Sequence, residues 1–207
     1  MKKILGLVLS LTIISGVCAA VLAYVDSITK EPIAKMRVRQ EQSAVKAVLP
    51  PGATEVVEAD GVFVGMNGNN DVIGYAAKGR DGGGYGGNIE LMVGFKPDKK
   101  TVVCYKTLAA SETPGLGMKL KTPEFAGQFA GKDGTSLKVK KDGGEVEAIT
   151  SATITSRAVC RAIADAQSKL NERGSGVLTA CKRSAKWPNP LSLSTPSILP
   201  CVSSARW

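Results

Sequence analysis

Glu147-Ala148-Ile149-Thr150-Ser151-Ala152-Thr153-Ile154-Thr155-Ser156-Arg157-Ala158-Val159 is the stretch on which the reading of this chain turns. Val146 to Ile149 is β-prone and reads as a strand end. Hydroxyls then crowd positions 150–156, and Val159, Ile163, Ala166 and Leu170 recur at helical spacing, with Gly174 expected as the helix C′ residue. The hydroxyls therefore line a helix N-terminus. Two readings follow from the residues alone: Thr155 or Ser156 is an ordinary N-cap, or the free N–H groups form a site for an anion such as phosphate.

Composition narrows the chemistry. The 207 residues contain no His, which removes His general bases, His-based triads and His metal ligands. Cys18, Cys104, Cys160, Cys181 and Cys201 form no C-x-x-C pair, so neither a zinc nor an iron–sulfur spacing exists. A Cys181–Cys201 disulfide is an open reading. The net charge of +9 comes with only 5% aromatic residues and no paired basic stripe, and it is read as a solvated tail and membrane proximity, not nucleic-acid binding. No catalytic residue and no metal set is expected.

Ile4 to Val25 is uncharged, follows Lys2-Lys3 and is long enough to span a bilayer. It is expected to remain as an anchor, although Val21-Leu22-Ala23 is a passable cleavage site. Lys30, Lys35, Arg37 and Arg39 outnumber the cations before the span, yet a long domain behind a short basic N-terminus translocates regardless, so the domain is expected outside the cytoplasm. Met36 to Leu49 is expected to form a separate amphipathic helix ending before Pro50-Pro51. Strands are expected at Val62 to Gly65, Val72 to Ala77, Ile89 to Phe95 and Thr101 to Leu108, divided by turns at Asn67 to Asn70, Gly79 to Gly87 and Lys96 to Asp98. Gly82, Gly84 and Gly87 fit G-x-G-x-x-G, but a strand follows them where a dinucleotide site needs a helix, so they read as a flexible hairpin loop. Thr122-Pro123 reads as N-cap and N1 of a short helix burying Phe125 and Phe129 and closed by Gly131. A hairpin of Leu137 to Lys140 and Glu145 to Ile149 is expected to deliver the chain to the hydroxyl run.

Glu112-Thr113-Pro114-Gly115-Leu116-Gly117 is a compact loop whose glycines admit close backbone approach. That loop and the run from Glu147 to Thr153 resemble signatures of the FMN-binding domain family, which includes the G subunit of Rnf electron-transport complexes and the C subunit of the sodium-pumping NADH:quinone oxidoreductase. Thr29 to Ile33, Val48-Leu49-Pro50 and the Gly-Tyr-Gly-Gly at Gly84 to Gly87 are similar to the same family. The resemblance covers roughly residues 1 to 175. In the family a flavin transferase moves FMN from FAD onto the last Thr of Asp-x-x-(Ser/Thr)-Gly-Ala-Thr through a phosphoester. Position by position, the acceptor is Thr153, preceded by Thr150, Ser151 and Ala152; Glu147 stands where Asp is usual and Ser151 where Gly is usual.

The resemblance implies an α+β fold: an N-terminal transmembrane helix, then one FMN-binding domain with an antiparallel sheet and flanking helices. The expected limits are 1–25 for the anchor, 26–52 for a juxtamembrane helical segment, 53–175 for the FMN-binding domain and 176–207 for a disordered tail. Glu112, Thr113, Gly115, Leu116 and Gly117 would contact the isoalloxazine ring, Thr150, Ser151 and Ala152 the rest of the cofactor, and Glu147 would serve motif recognition. The implied role is single-pass electron transfer on the extracytoplasmic face of a bacterial or archaeal cytoplasmic membrane, between ferredoxin and NAD. Implied partners are the other membrane subunits of an Rnf-type complex, the flavin transferase and the lipid bilayer. A stand-alone flavinylated carrier and an anchored binding module without covalent flavin are the competing readings.

Overall fold

A computed structural model describes residues 2–59, 61–68 and 71–183. The chain divides into two units, Met1–Gln40 and Glu41–Trp207, and the division falls inside the first helix, α1 (Lys2–Val48). In the first unit the apolar side chains of α1 face outward: Leu11 is 69% and Leu22 71% exposed. The stretch Val8–Val48 contains a window long and apolar enough to cross a membrane. The separate helix expected from Met36 is corrected, because α1 continues through Pro32. Proline removes one backbone bond, and the pairs Asp26–Lys30 (2.7 Å) and Glu31–Lys35 (2.6 Å) brace the turns around it.

In the second unit, five antiparallel strands pair in chain order: β1 (Glu55–Ala59), β2 (Val62–Met66), β3 (Val72–Gly84), β4 (Gly87–Phe95) and β5 (Val102–Ala110). Successive side chains point to opposite faces, and both faces are covered. Ala76, Met92 and Cys104 bury against Ala44, Val45 and Val48 at the end of α1. Tyr75, Ala77, Leu91, Val93 and Phe95 pack on the other face with Ala158, Val159, Ile163 and Leu170 of α3 (Thr153–Arg183). Gly79 and Gly94 let the helices approach, since a Cβ at either would strike the carbonyls of Ala162 and Val48 respectively.

The strand expectations need two changes. β1 has no counterpart among them, because its Val56-Val57 pair does not alternate with the flanking acids. The supposedly flexible glycine run belongs to β3 and β4, which pair as far as Gly84 and Gly87, leaving Tyr85-Gly86 as a two-residue turn. Asn69 and Asn70 of the expected turn lie outside the described residues.

The short helix forms as α2 (Pro123–Gly127), but Thr122 does not cap it with its side chain: the hydroxyl donates to the Lys119 carbonyl at 2.8 Å. Phe129 packs edge-on against Phe125 and Tyr105, at 5.3 and 5.5 Å between ring centres. Gly131 (φ +80°) turns the chain beyond α2's end; it does not close the helix. The hairpin expected around Asp142-Gly143-Gly144 is absent. Lys140–Asp142 instead makes one 3₁₀ turn, and a single parallel bridge joins Val139 to Val146. Both valines are buried under the domain and Asp142 is drawn to Arg157 of α3, so tertiary contacts override the local turn signal. Finally, α3 does not stop at Gly174. Glycine inside a helix costs only about 1 kcal/mol, and the helix continues to Arg183, eight residues into the expected tail 176–207. Positions 184–207, with Cys201 and the postulated disulfide, lie outside the described residues.

Candidate functional site at the start of α3

The hydroxyl run divides into buried and accessible members. Ser156, completely buried, accepts the Ile149 N–H at 2.9 Å and donates to the Ala152 carbonyl at 3.0 Å. It is therefore a tie between the incoming chain and the first turn, inside the helix and not at its N-cap. Thr155 is also buried and donates to Glu112 Oε2 at 2.8 Å. Thr150 and Ser151 are exposed, and Thr153, the first residue of α3, is half-buried. The first helical bond is donated by the Ser156 N–H to the Ala152 carbonyl. The N–H groups of Thr153, Ile154 and Thr155 precede that bond and have no partner within the helix.

Glu112 is the junction of the site. It is only 6% exposed, and its second oxygen, Oε1, accepts the Gly86 N–H at 3.3 Å. A single carboxylate thus joins the β3–β4 turn, the loop after β5 and the first turn of α3. A buried carboxylate requires such donors. It also needs room: a Cβ on Gly84 would lie 2.6 Å from Oε1, and one on Gly117 would lie 2.5 Å from Oε2. The two motifs found separately in the sequence are brought together here. Glu112 is the tie beneath the surface, while Thr113, Gly115 and Leu116 are exposed around it. The Thr113 carbonyl receives the N–H groups of Leu116 and Met118, both at 3.2 Å, and Gly115 has φ +77°, which rounds the loop.

Ser151 has φ +63°, in the left-handed region where glycine is favoured. Ala152 behind it is buried, and its N–H bonds the Ile149 carbonyl at 2.9 Å. This backbone explains why a Gly suits the position at which this chain has Ser.

Lys141 Nζ donates to Thr153 Oγ1 at 3.3 Å. The 3₁₀ turn carrying it is pinned by Arg157, whose Nε and Nη2 reach the two oxygens of Asp142 at 2.7 and 2.6 Å. The Arg157 guanidinium holds the Asp142 carboxyl below the usual carboxylate range. Farther along α3, Arg161 clasps Asp81 of β3 at 3.1 and 2.9 Å and so fixes the hairpin. Glu147 lies apart from this junction, its side chain exposed and 3.5 Å from Lys140. The N–H of Glu147 donates to Gln128 Oε1 at 2.7 Å, which holds the backbone while leaving the carboxylate outward. Lys141 escapes a sequence reading, as do the ties of Thr155 and Gly84 to Glu112, because these roles depend on segments that only the fold brings together.

The site is suited to a phosphorylated ligand: free helix N–H groups, an ammonium and an accessible hydroxyl meet at one point. Residues 84–168 match the model of the FMN-binding domain family. The chain is 34% identical to the G subunit of the ion-translocating oxidoreductase complex of Methanosarcina acetivorans, over 78% of this chain and 92% of that protein. It is 35% identical to the G subunit of the proton-translocating ferredoxin:NAD(+) oxidoreductase complex of Clostridium ljungdahlii, over 74% of this chain and 82% of the relative. The crystal structure of the C subunit of the Na(+)-translocating NADH-quinone reductase of Parabacteroides distasonis is similar at 25% identity and a TM-score of 0.46, covering 60% of this chain and 75% of that one. With an FMN-binding domain and a relative matched over nearly its whole length, this chain belongs to the family of G subunits of Rnf-type ion-translocating oxidoreductase complexes, and is an electron-transfer subunit.

Proposed function

We propose that Thr153 carries FMN through a phosphoester and that the chain relays electrons within an Rnf-type complex between ferredoxin and NAD. The observation that carries this reading is the meeting, at one helix start, of the Thr153 hydroxyl, the Lys141 ammonium at 3.3 Å and the Glu112–Thr155 bond at 2.8 Å that ties the Glu-Thr-Pro-Gly-Leu-Gly loop to the helix. The donor set fits a phosphodiester, whose single negative charge faces the positive helix end and one lysine. Thr153 Oγ1 would be the acceptor, giving up its proton and replacing AMP on the FMN phosphorus of FAD, in a transfer that a separate flavin transferase would carry out.

FMN supplies a reversible one- and two-electron centre; the protein supplies orientation and charge. Lys141 and the helix N–H groups would hold the phosphate, and Glu112 fixes the loop that would contact the ring. Glu147, with its carboxylate outward, presents the motif to the transferase. The apolar part of α1 anchors the domain in the bilayer, with FMN on the extracytoplasmic face, where covalent attachment prevents loss of a cofactor that no local pool replaces. The other membrane subunits of the complex complete the electron path and move the ion.

The test is flavin fluorescence of denatured protein after coexpression with a flavin transferase. Wild type is expected to fluoresce in the gel and Thr153→Ala to be dark. A dark wild type, or a fluorescent Thr153→Ala, overturns the assignment.

A further inference from the structure

The chain entering the hydroxyl run is held from two directions. Val146 is held by backbone: its N–H bonds the Lys138 carbonyl at 3.1 Å, and its own carbonyl accepts the Lys140 N–H at 2.8 Å. The Glu147 N–H has no strand to pair with among the described residues. The side-chain amide of Gln128 takes the place of one. Gln128 Oε1 accepts the Glu147 N–H at 2.7 Å, and Gln128 Nε2 lies 3.5 Å from the Glu147 carbonyl. A primary amide carries an acceptor and a donor side by side, as a peptide group does, and here the short bond to the acceptor does the holding.

Gln128 is itself placed by α2. It is the C-cap of that helix, its N–H bonds the Phe125 carbonyl at 3.3 Å, and the neighbouring Phe125 and Phe129 are buried. It stands 19 residues before Glu147 and outside the motif. Its bond is to backbone, so the Glu147 side chain remains outward. The pair of Glu147 with Lys140 at 3.5 Å joins two exposed groups and contributes little. Gln128, not the ion pair, therefore fixes this residue. Along the rest of the motif Ile149 and Ala152 are buried, Thr150 and Ser151 are exposed and Thr153 is half-buried.

Accepting the assignments of FMN to Thr153 and of Glu147 to transferase recognition, on which this inference rests, we propose that Gln128 is a positioning residue for flavin transfer, holding Glu147 where a docked flavin transferase meets it. It acts through Glu147 and not on the acceptor. The acceptor end has its own ties: the Ser156 hydroxyl accepts the Ile149 N–H at 2.9 Å, and Thr155 donates to Glu112 at 2.8 Å. Separate bonds thus fix the two ends of the motif. Loss of the Gln128 bond loosens docking and leaves the transfer step at Thr153 as it was. Because Gln128 and Glu147 come from distant segments, the surface that the transferase reads exists only in the folded domain.

Docking and transfer separate in the kinetics of loading. Full-length protein made without a transferase is purified in detergent and incubated with a purified flavin transferase and FAD. Flavin on the chain is followed by fluorescence of denatured samples at increasing concentrations of the chain. Gln128→Ala is expected to raise the KM for the chain severalfold and to leave kcat unchanged, the pattern of lost docking. Gln128→Met, of similar length but without the acceptor, is expected to match it, and keeps the test open if alanine unfolds α2. Gln128→Glu retains an oxygen for the Glu147 N–H and is expected to keep the wild-type KM. In a Glu147→Ala background, Gln128→Ala is expected to add little, since the side chain it positions is gone. An unchanged KM in the alanine and methionine variants overturns the positioning role. A loss confined to kcat, a Gln128→Glu that behaves as Gln128→Ala, or a full further loss in the Glu147→Ala background overturns it as well. A wild type that takes up no flavin overturns the assignment to Thr153 itself, an outcome distinct from normal loading of the wild type with insensitive Gln128 variants.

Discussion

The two long helices obey one rule with opposite results. Between Val8 and Val25 α1 is uncharged and apolar around its circumference, and its large apolar side chains there are exposed, Leu22 at 71%. α3 carries its apolar residues on one stripe, and Ile163 and Leu170 on that stripe are fully buried against the sheet. A helix with an apolar stripe finds its partner within its own domain, whereas one apolar all round requires lipid or other helices. The difference also assigns the work. α3 can present a defined N-terminus because Arg157, Arg161 and Asp165 fix it to the 3₁₀ turn, to Asp81 and to the Arg80 N–H. The N-terminal unit of α1 instead contains the window long and apolar enough to cross a membrane.

The sharpest way to break this contrast is one large-to-small change on each helix. Ile163→Ala is expected to destabilise the domain by about 3 kcal/mol, through lost burial and a cavity. Leu22→Ala, on the exposed surface of α1, is expected to leave denaturant unfolding of the domain in detergent within about 0.5 kcal/mol of wild type. Equal losses would show that the two helices do not differ as described.

Glu112→Ala tests whether the α3 start depends on its tie to the loop. It leaves the Gly86 N–H and the Thr155 hydroxyl without their partner, and a loss of about 2 kcal/mol is expected in urea unfolding, together with weakened flavin loading. Ser151→Gly should act in the other direction. Relief of the left-handed strain is worth about 1 kcal/mol, offset in part by the greater freedom of glycine in the unfolded chain. A small rise in Tm is the expected outcome, and a fall would show that the Ser151 side chain contributes something beyond its backbone.

The smallest effect concerns acid. Asp142 is depressed by its bond to Arg157, so its contribution is complete above the ordinary carboxylate pKa and is lost as pH falls through the lower folded value. Thermal unfolding followed downward from about pH 5, just above the unperturbed carboxylate range, should decline less steeply in Asp142→Asn than in wild type. Identical slopes would show that the pair contributes nothing to the fixed start of α3.

The two motifs of the candidate site were legible by resemblance because each is local. Glu112 to Gly117 and Glu147 to Thr153 each lie within one short stretch, and their residue types survive reading without a fold. The apolar span and most strands were legible for the same reason, through composition and period. The misreadings came where local signals met distant partners. Gly82 to Gly87 looked like a flexible loop because glycines favour loops, yet Gly84 pairs with Gly87 at the tip of β3 and β4, with only Tyr85-Gly86 as the turn, and Glu112 takes the space a Cβ on Gly84 would need. Asp142-Gly143-Gly144 looked like a hairpin turn, but Arg157 captures Asp142. Gly174 looked like a stop, but one glycine is a small penalty inside a long helix.

The sequence by itself determined an apolar N-terminal span, a strand-rich domain and a hydroxyl-rich helix start, since each depends on residue type and short-range period; Thr153 was singled out among the hydroxyls only by resemblance to the family's motif. Only the tertiary structure decided what each hydroxyl does. Ser156 and Thr155 are consumed by bonds to Ile149 and Glu112, while Thr153 remains accessible beside Lys141. The physical reason is that a hydroxyl's role is set by what lies within hydrogen-bond reach, and here those partners lie both in the adjoining turn and 43 residues away in the chain.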